Sequence, residues 1–146
     1  MMKEIEILLI EDNEGDIILT LEALKEARIK NRISVLRDGD QVIKYLKKQG
    51  EYANVETPDL ILLDINLPKM DGKEVLQRIK SDSQLMVIPV VMLTTSDSEK
   101  DIMESYQSHA NCYITKPVDY KNFMDVIQTF KDFWINIVQL PKSLKP

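Results

Sequence analysis

The sequence predicts an α/β domain: a parallel five-stranded sheet with helices on both faces. Two observations carry that expectation. Five short runs rich in Ile, Leu and Val alternate with five longer stretches whose apolar residues recur at helical spacing. Three of the runs are nearly all apolar, as strands covered on both faces should be. Such alternation implies parallel strands joined by crossovers.

The first strand is expected at residues 5–10 (IEILLI), ending against the acidic EDNEGD. A helix at 16–27 follows, because Ile17, Leu21 and Leu24 recur at i, i+4 and i+7 with Glu22, Lys25 and Glu26 opposite. A second strand at 33–37 and a helix at 41–48 precede a long loop, 49–59. The third strand, 59–64, ends in Asp64 and runs into a turn-rich LPKMDG before a helix at 73–80. A fourth strand at 88–93 precedes a helix at 99–108, and a fifth at 111–115 precedes Lys116-Pro117. The last helix starts near 119, with Phe123, Val126, Ile127, Phe130, Trp134, Ile137 and Val138 along one stripe.

Composition narrows the function. A chain of 146 residues fits one domain, 1–146, with a core over about 5–132 and a C-terminal extension over 133–146. It is 44% hydrophobic and 29% charged, ordinary values for a soluble protein, and no apolar run is long enough to span a bilayer. Glu4 and Glu6 interrupt what a signal peptide would need. The one cysteine, Cys112, cannot form an internal disulfide and reads as a small buried hydrophobe, so a cytoplasmic location is expected. A net charge of −5 argues against general affinity for nucleic acid or anionic membrane.

In open parallel sheets ligands bind outside the carboxyl ends of the strands. Those ends carry Glu11-Asp12, Asp64, Thr94-Thr95 and Lys116. Three converging carboxylates repel one another unless a hard cation offsets them, and Mg²⁺ suits a site of one or two carboxylates, waters and a phosphate oxygen. Thr94 can then donate a hydrogen bond, and Lys116 a point charge, to a phosphoryl group beside the metal. Asp64 is the candidate nucleophile, forming an acyl phosphate.

The ordered set Glu11-Asp12, Asp64, Asn66, Pro68, Asp71-Gly72, Thr94, Tyr113 and Lys116-Pro117 resembles the receiver domain of two-component response regulators. The resemblance spans residues 5 to about 132. It implies a flavodoxin-like doubly wound sheet of strand order 2-1-3-4-5 and a phosphoacceptor at Asp64. It also implies a metal site made by Asp12, Asp64 and the backbone carbonyl of Asn66, with Glu11 holding metal-bound water. Thr94 and Lys116 match the residues that contact the phosphoryl group, and Tyr113 matches an aromatic switch coupled to Thr94. Lys116-Pro117 looks like the family's cis peptide, and Asn66 and Ser96 occupy positions that tune water access. The GEY of the long loop, the HANCYITKP run and the late FW pair resemble small stand-alone regulators paired with bacterial phytochrome-type sensor kinases.

The function so implied is that of a phosphoacceptor rather than a metabolic enzyme: a histidine kinase donates the phosphoryl group in a Mg²⁺-dependent reaction. Output runs through a protein partner, by onward phosphotransfer or by direct binding of an effector. Residues 118–146 leave room for one helix and the tail PKSLKP, not for an output domain. Phe133, Trp134, Ile137, Val138 and Leu140 exceed what the sheet needs, so a homodimer through the last strand–helix region is expected. A haloacid-dehalogenase-type phosphatase would need Asp-x-Asp-x-Thr, where this chain has DINLP; a dinucleotide binder would need a Gly-rich loop where it has EDNE. A degenerate receiver is disfavoured because every residue the chemistry requires is present. Glu14 and Asp16 are read as acids opening a helix, Asp71 as a helix N-cap, and His109 as a C-cap substitute for glycine.

Overall fold

The computed structural model describes residues 4–26, 30–94, 112–116 and 118–129. Within them five parallel strands form one sheet in the order β2-β1-β3-β4-β5. The strands are β1 (Ile5–Ile10), β2 (Asn31–Leu36), β3 (Leu60–Asp64), β4 (Val90–Thr94) and β5 (Cys112–Thr115). The described helices are α1 (Glu14–Glu26), α2 (Asp40–Leu46), α3 (Gly72–Ser81) and α4 (Tyr120–Thr129), with one 3₁₀ turn at Gly50–Tyr52. The helix expected at 99–108, His109, Ser96, the Lys116-Pro117 peptide, the Cys112 side chain and the stripe beyond residue 129 lie outside the described residues. Among the described residues no helix is long and apolar enough to cross a membrane.

The pleat divides the core in two. Ile7 and Leu9 of β1, Leu60 and Leu62 of β3, Val91 and Leu93 of β4 and Ile114 of β5 pack against Ile17, Ala23 and Leu24 of α1 and Phe123 of α4. On the other face Leu8, Ile10, Ile61, Leu63, Val90 and Met92 meet Val42, Tyr45 and Leu46 of α2 and Val75, Leu76 and Ile79 of α3. Leu60 to Leu63 are each wholly buried. Every residue of β3 thus has a helix over it whichever way it points, which explains the unbroken apolar run. Burying each such leucine contributes roughly 1.5–3 kcal/mol.

The starts of α1, α3 and α4 are fixed by side chains. Asn13 Oδ1 accepts from the Asp16 N–H at 2.9 Å and so caps α1. Asp71 Oδ1 accepts from the Lys73 N–H at 2.7 Å and caps α3, as expected. Asp119 Oδ1 does the same for α4 through the Asn122 N–H at 2.7 Å. After α3, Lys80 Nζ donates to the carbonyls of Met86 (3.0 Å) and Ile88 (2.6 Å), binding the turn that leads into β4.

Strand boundaries differ from expectation where side-chain chemistry intervenes. β2 begins two residues early, at Asn31, because an edge strand needs no apolar run to join the ladder. β3 starts after Asp59, whose N–H and carboxylate instead clamp both polar groups of the Glu6 backbone. β4 starts at Val90 because Pro89 has no N–H and Ile88 turns back to bond the Leu85 carbonyl. The long loop after α2 is tied down by Tyr52, whose hydroxyl donates to Gln41 Oε1 at 3.0 Å and whose ring lies 5.2 Å from that of Tyr45.

Candidate functional site

Strand parity decides which side chains meet. In β1 the odd residues Ile7 and Leu9 face α1, so Glu11, next in that series, does too. Leu60 and Leu62 set the same direction for Asp64, and Ile114 sets it for Lys116. Met92 faces α2 and α3, as Tyr113 does from β5, so Thr94 falls on that opposite side. The strand ends are held by backbone bonds between neighbouring strands. The Glu11 N–H donates to the Leu36 carbonyl, Ile65 to Leu93 and Lys116 to Thr94, at 2.9, 3.0 and 2.7 Å.

The carboxylates converge. Glu11, Asp12 and Asp64 each offer an oxygen, and these atoms lie within 4.8 Å of one another. Glu11 is wholly buried, Asp64 nearly so, and Asp12 exposed. Lys116 Nζ sits among them, 2.5 Å from Glu11 Oε1 and 3.2 Å from Asp64 Oδ2. The Asp64 carboxylate is fixed in rotation because its Oδ1 accepts the Asn66 N–H at 3.1 Å. The Asn13 N–H donates to Glu11 Oε2 at 3.2 Å. Burial pushes the Glu11 carboxyl up to about 7, and the neighbouring Asp64 carboxylate adds to that. Burial alone would lower the Lys116 ammonium, but Glu11, Asp64 and Asp16 together outweigh it and hold that group above its ordinary value.

One residue departs from the sequence reading. Asp16 does open α1, in its first turn, but its Oδ2 also accepts from Lys116 Nζ at 3.1 Å. Reading it only as a helix-opening acid was incomplete. Its partner lies one hundred positions away in the chain, and nothing local announces the contact. Asn13, which sequence reading did not single out, links the same group by bonding both Glu11 and Asp16. Thr94 is buried at the end of β4, and Tyr113 lies two register steps back on the same sheet face, packed partly against the α2–α3 core.

A second position is set by contact. Gly72 begins α3 with its N–H donating to the Ile65 carbonyl at 2.9 Å. A Cβ there would fall 2.1 Å from the Asp64 carbonyl oxygen and 2.8 Å from Ile65 Cα. The glycine in LPKMDG therefore lets α3 press directly on the backbone that carries Asp64.

Hard oxygen donors of this kind fit a divalent cation. Among the described residues three carboxylates, Glu11, Asp16 and Asp64, contact the ammonium of Lys116, and Asp12 lies beside Glu11 and Asp64, leaving negative charge in surplus. Glu11 Oε1, fully buried, makes no well-angled hydrogen bond despite its contact with Lys116. Such a group is completed by a cation or its bound water.

Comparison with known proteins places the chain in a family. The model of the response regulator receiver domain matches residues 7–128. Response regulator Rcp1 of Synechocystis sp. is 47% identical over 137 residues, covering 94% of this chain and 93% of that protein. The crystal structure of the phosphorylated cyanobacterial phytochrome response regulator RcpA is 47% identical, with a TM-score of 0.78 over 91% of this chain and 95% of that one. The Mn(2+)-bound form of Rcp1 is 46% identical, with a TM-score of 0.75 over 92% of this chain and 96% of that one. With a matching family model over most of its length, the 2-1-3-4-5 sheet and the acidic strand-end cluster, the chain belongs to the response regulator receiver domain family, and it is similar in sequence to the phytochrome response regulators within it.

Proposed function

We propose that this chain is a single receiver domain, 1–146, that accepts a phosphoryl group on Asp64 from a sensor histidine kinase and signals through protein contacts. One observation carries the reading: the strand ends bring Asp64, two further carboxylates and the Lys116 ammonium to a single point. The likeness to Rcp1 over nearly the full length of both proteins supports a phytochrome-type kinase as donor and output through a separate protein, by phosphotransfer or effector binding.

The residues divide the work. Asp64 presents a carboxylate whose rotation the Asn66 N–H sets. Its oxygen forms a bond to phosphorus as the donor's P–N bond breaks, and the electron pair of that bond stays on the imidazole nitrogen. Lys116, beside the Asp64 carboxylate, follows the charge onto the phosphoryl oxygens, and the Thr94 hydroxyl donates to one of them. Asp12, Asp64, the Asn66 carbonyl and, through water, Glu11 would hold a Mg²⁺ ion, which when bound neutralises charge on the transferring group. Return to the resting state needs water to attack phosphorus, breaking the bond to Asp64 and restoring the carboxylate. This self-directed chemistry is the only catalysis assigned to the protein.

The switch in this reading is a change in the Thr94 side chain when it engages the phosphoryl group, coupled to Tyr113 on the same sheet face, which biases a two-state equilibrium at the β4–β5 side. The cytoplasm, where a kinase finds its ATP, suits this role. The apolar series Phe133 to Leu140 supports a homodimer through the last strand–helix region, which sedimentation at high concentration would refute by finding monomer alone. The central test is incubation with Mg²⁺ and a small phosphoryl donor, followed by intact mass. Wild type is expected to gain one phosphoryl group; no gain, or an equal gain in Asp64→Asn, overturns the reading.

A further inference from the structure

Resting on the reading of Asp64 as phosphoacceptor, we propose that Asp16 is a positioning residue for phosphoryl transfer. Its carboxylate holds the Lys116 ammonium in place beside Asp64 while the other carboxylates serve the cation.

Three features lead there. Among the described residues Lys116 Nζ touches three carboxylates, on Glu11, Asp16 and Asp64. Two of these, Glu11 and Asp64, belong with Asp12 to the cluster that would bind the cation; Asp16 does not. When that cluster turns its oxygens to a cation, Asp16 is, among the described residues, the carboxylate partner left wholly to Lys116. A lysine is a point charge on a flexible stem, so its usefulness depends on what fixes its end.

Asp16 also lies on the outer side. Its side chain is 26% exposed, against 0% for Glu11 and 3% for Asp64. A phosphoryl group built outward from Asp64 moves negative charge toward solvent, and Asp16 keeps the ammonium from sinking back between the buried acids. Its own place is fixed. The Asn13 side chain takes the Asp16 N–H, and the Asn13 N–H is tied to Glu11. Three hydrogen bonds and the Lys116–Glu11 ion pair close a ring through Glu11, Asn13, Asp16 and Lys116, joining the first turn of α1 to the strand ends.

The competing account is that Asp16 only favours the helix macrodipole, in which case its loss weakens α1 irrespective of residue 116. The two separate in a double-mutant cycle on the rate of phosphorylation by phosphoramidate at saturating Mg²⁺. Asp16→Asn is expected to slow the reaction by roughly three- to tenfold, with Asp16→Glu recovering most of it. In a Lys116→Met background the same Asp16→Asn change is expected to have almost no further effect. A second readout uses cation-free protein: the Lys116 ammonium resonance in NMR should change its shift in Asp16→Asn. An unchanged rate in Asp16→Asn, an equal loss in both backgrounds, or an unmoved Lys116 ammonium resonance overturns the proposal. A wild type that takes no phosphoryl group at all instead overturns the reading of Asp64.

Discussion

Replacing Gly72 by alanine should damage both the stability of the domain and the reactivity of Asp64. The added Cβ would meet the Asp64 carbonyl oxygen at 2.1 Å, where ordinary contact begins near 3.4 Å, so the backbones must part by about 1.3 Å. Neither neighbour can swing aside, because both are main chain, and the hydrogen bond from the Gly72 N–H to the Ile65 carbonyl lies across the same gap. Overpacking of this kind costs about 1–3 kcal/mol, and loss of the bond adds roughly 1 kcal/mol. The expected total is about 2–4 kcal/mol in urea unfolding, with an unchanged m-value. Gly50 supplies the control. It has φ +57° and no atom within 4 Å of its would-be Cβ. Gly50→Ala should therefore cost only the left-handed backbone penalty, about 1 kcal/mol, and leave phosphorylation untouched. If Gly72→Ala unfolds within about 0.5 kcal/mol of wild type, the close approach does not constrain the site as argued.

Further outcomes follow from other contacts. Asp71→Ala should lose about 1 kcal/mol by removing the cap on the Lys73 N–H, and Asp71→Ser should recover most of it in the same unfolding assay. Lys80→Ala leaves the carbonyls of Met86 and Ile88 without their ammonium donor and should cost roughly 1–3 kcal/mol; a change under 0.5 kcal/mol in urea unfolding would refute that role. Folded Glu11 binds its proton more tightly than the unfolded chain does, since burial pushes it from 4.5 up to about 7. Its contribution is therefore present in full below pH 4.5 and is lost as pH rises through about 7, by as much as about 3 kcal/mol in metal-free protein. Glu11→Gln should flatten that slope in a pH series of unfolding curves.

Much of the fold was legible because the sheet is covered on both faces. Leu60–Leu63 and the Val90–Leu93 run had to be apolar throughout, and such runs stand out between amphipathic helices. The edge strand β2 was harder, since Asn31, Arg32 and Ser34 join the ladder with little burial. At the site, Glu11, Asp12, Asp64 and Lys116 were readable because each terminates a strand and strand ends meet at one edge of the sheet. Asp16 was not, because a first-turn acid has a sufficient local explanation and its contact with Lys116 exists only once β5 lies near α1. The role of Gly72 was hidden for a similar reason. The sequence shows a glycine at a helix start, whereas what demands it is the Asp64 backbone against which that helix is pressed.

The measurement that bears most directly on the central claim is chemical location of the phosphoryl group. Protein incubated with Mg²⁺ and phosphoramidate is reduced with borohydride, which converts an aspartyl phosphate to homoserine, then digested and sequenced by mass spectrometry. The account predicts homoserine at position 64 alone, absent when the cation is chelated and absent in Asp64→Asn. Conversion at another acid such as Asp12, or labelling that survives without Asp64, would contradict it.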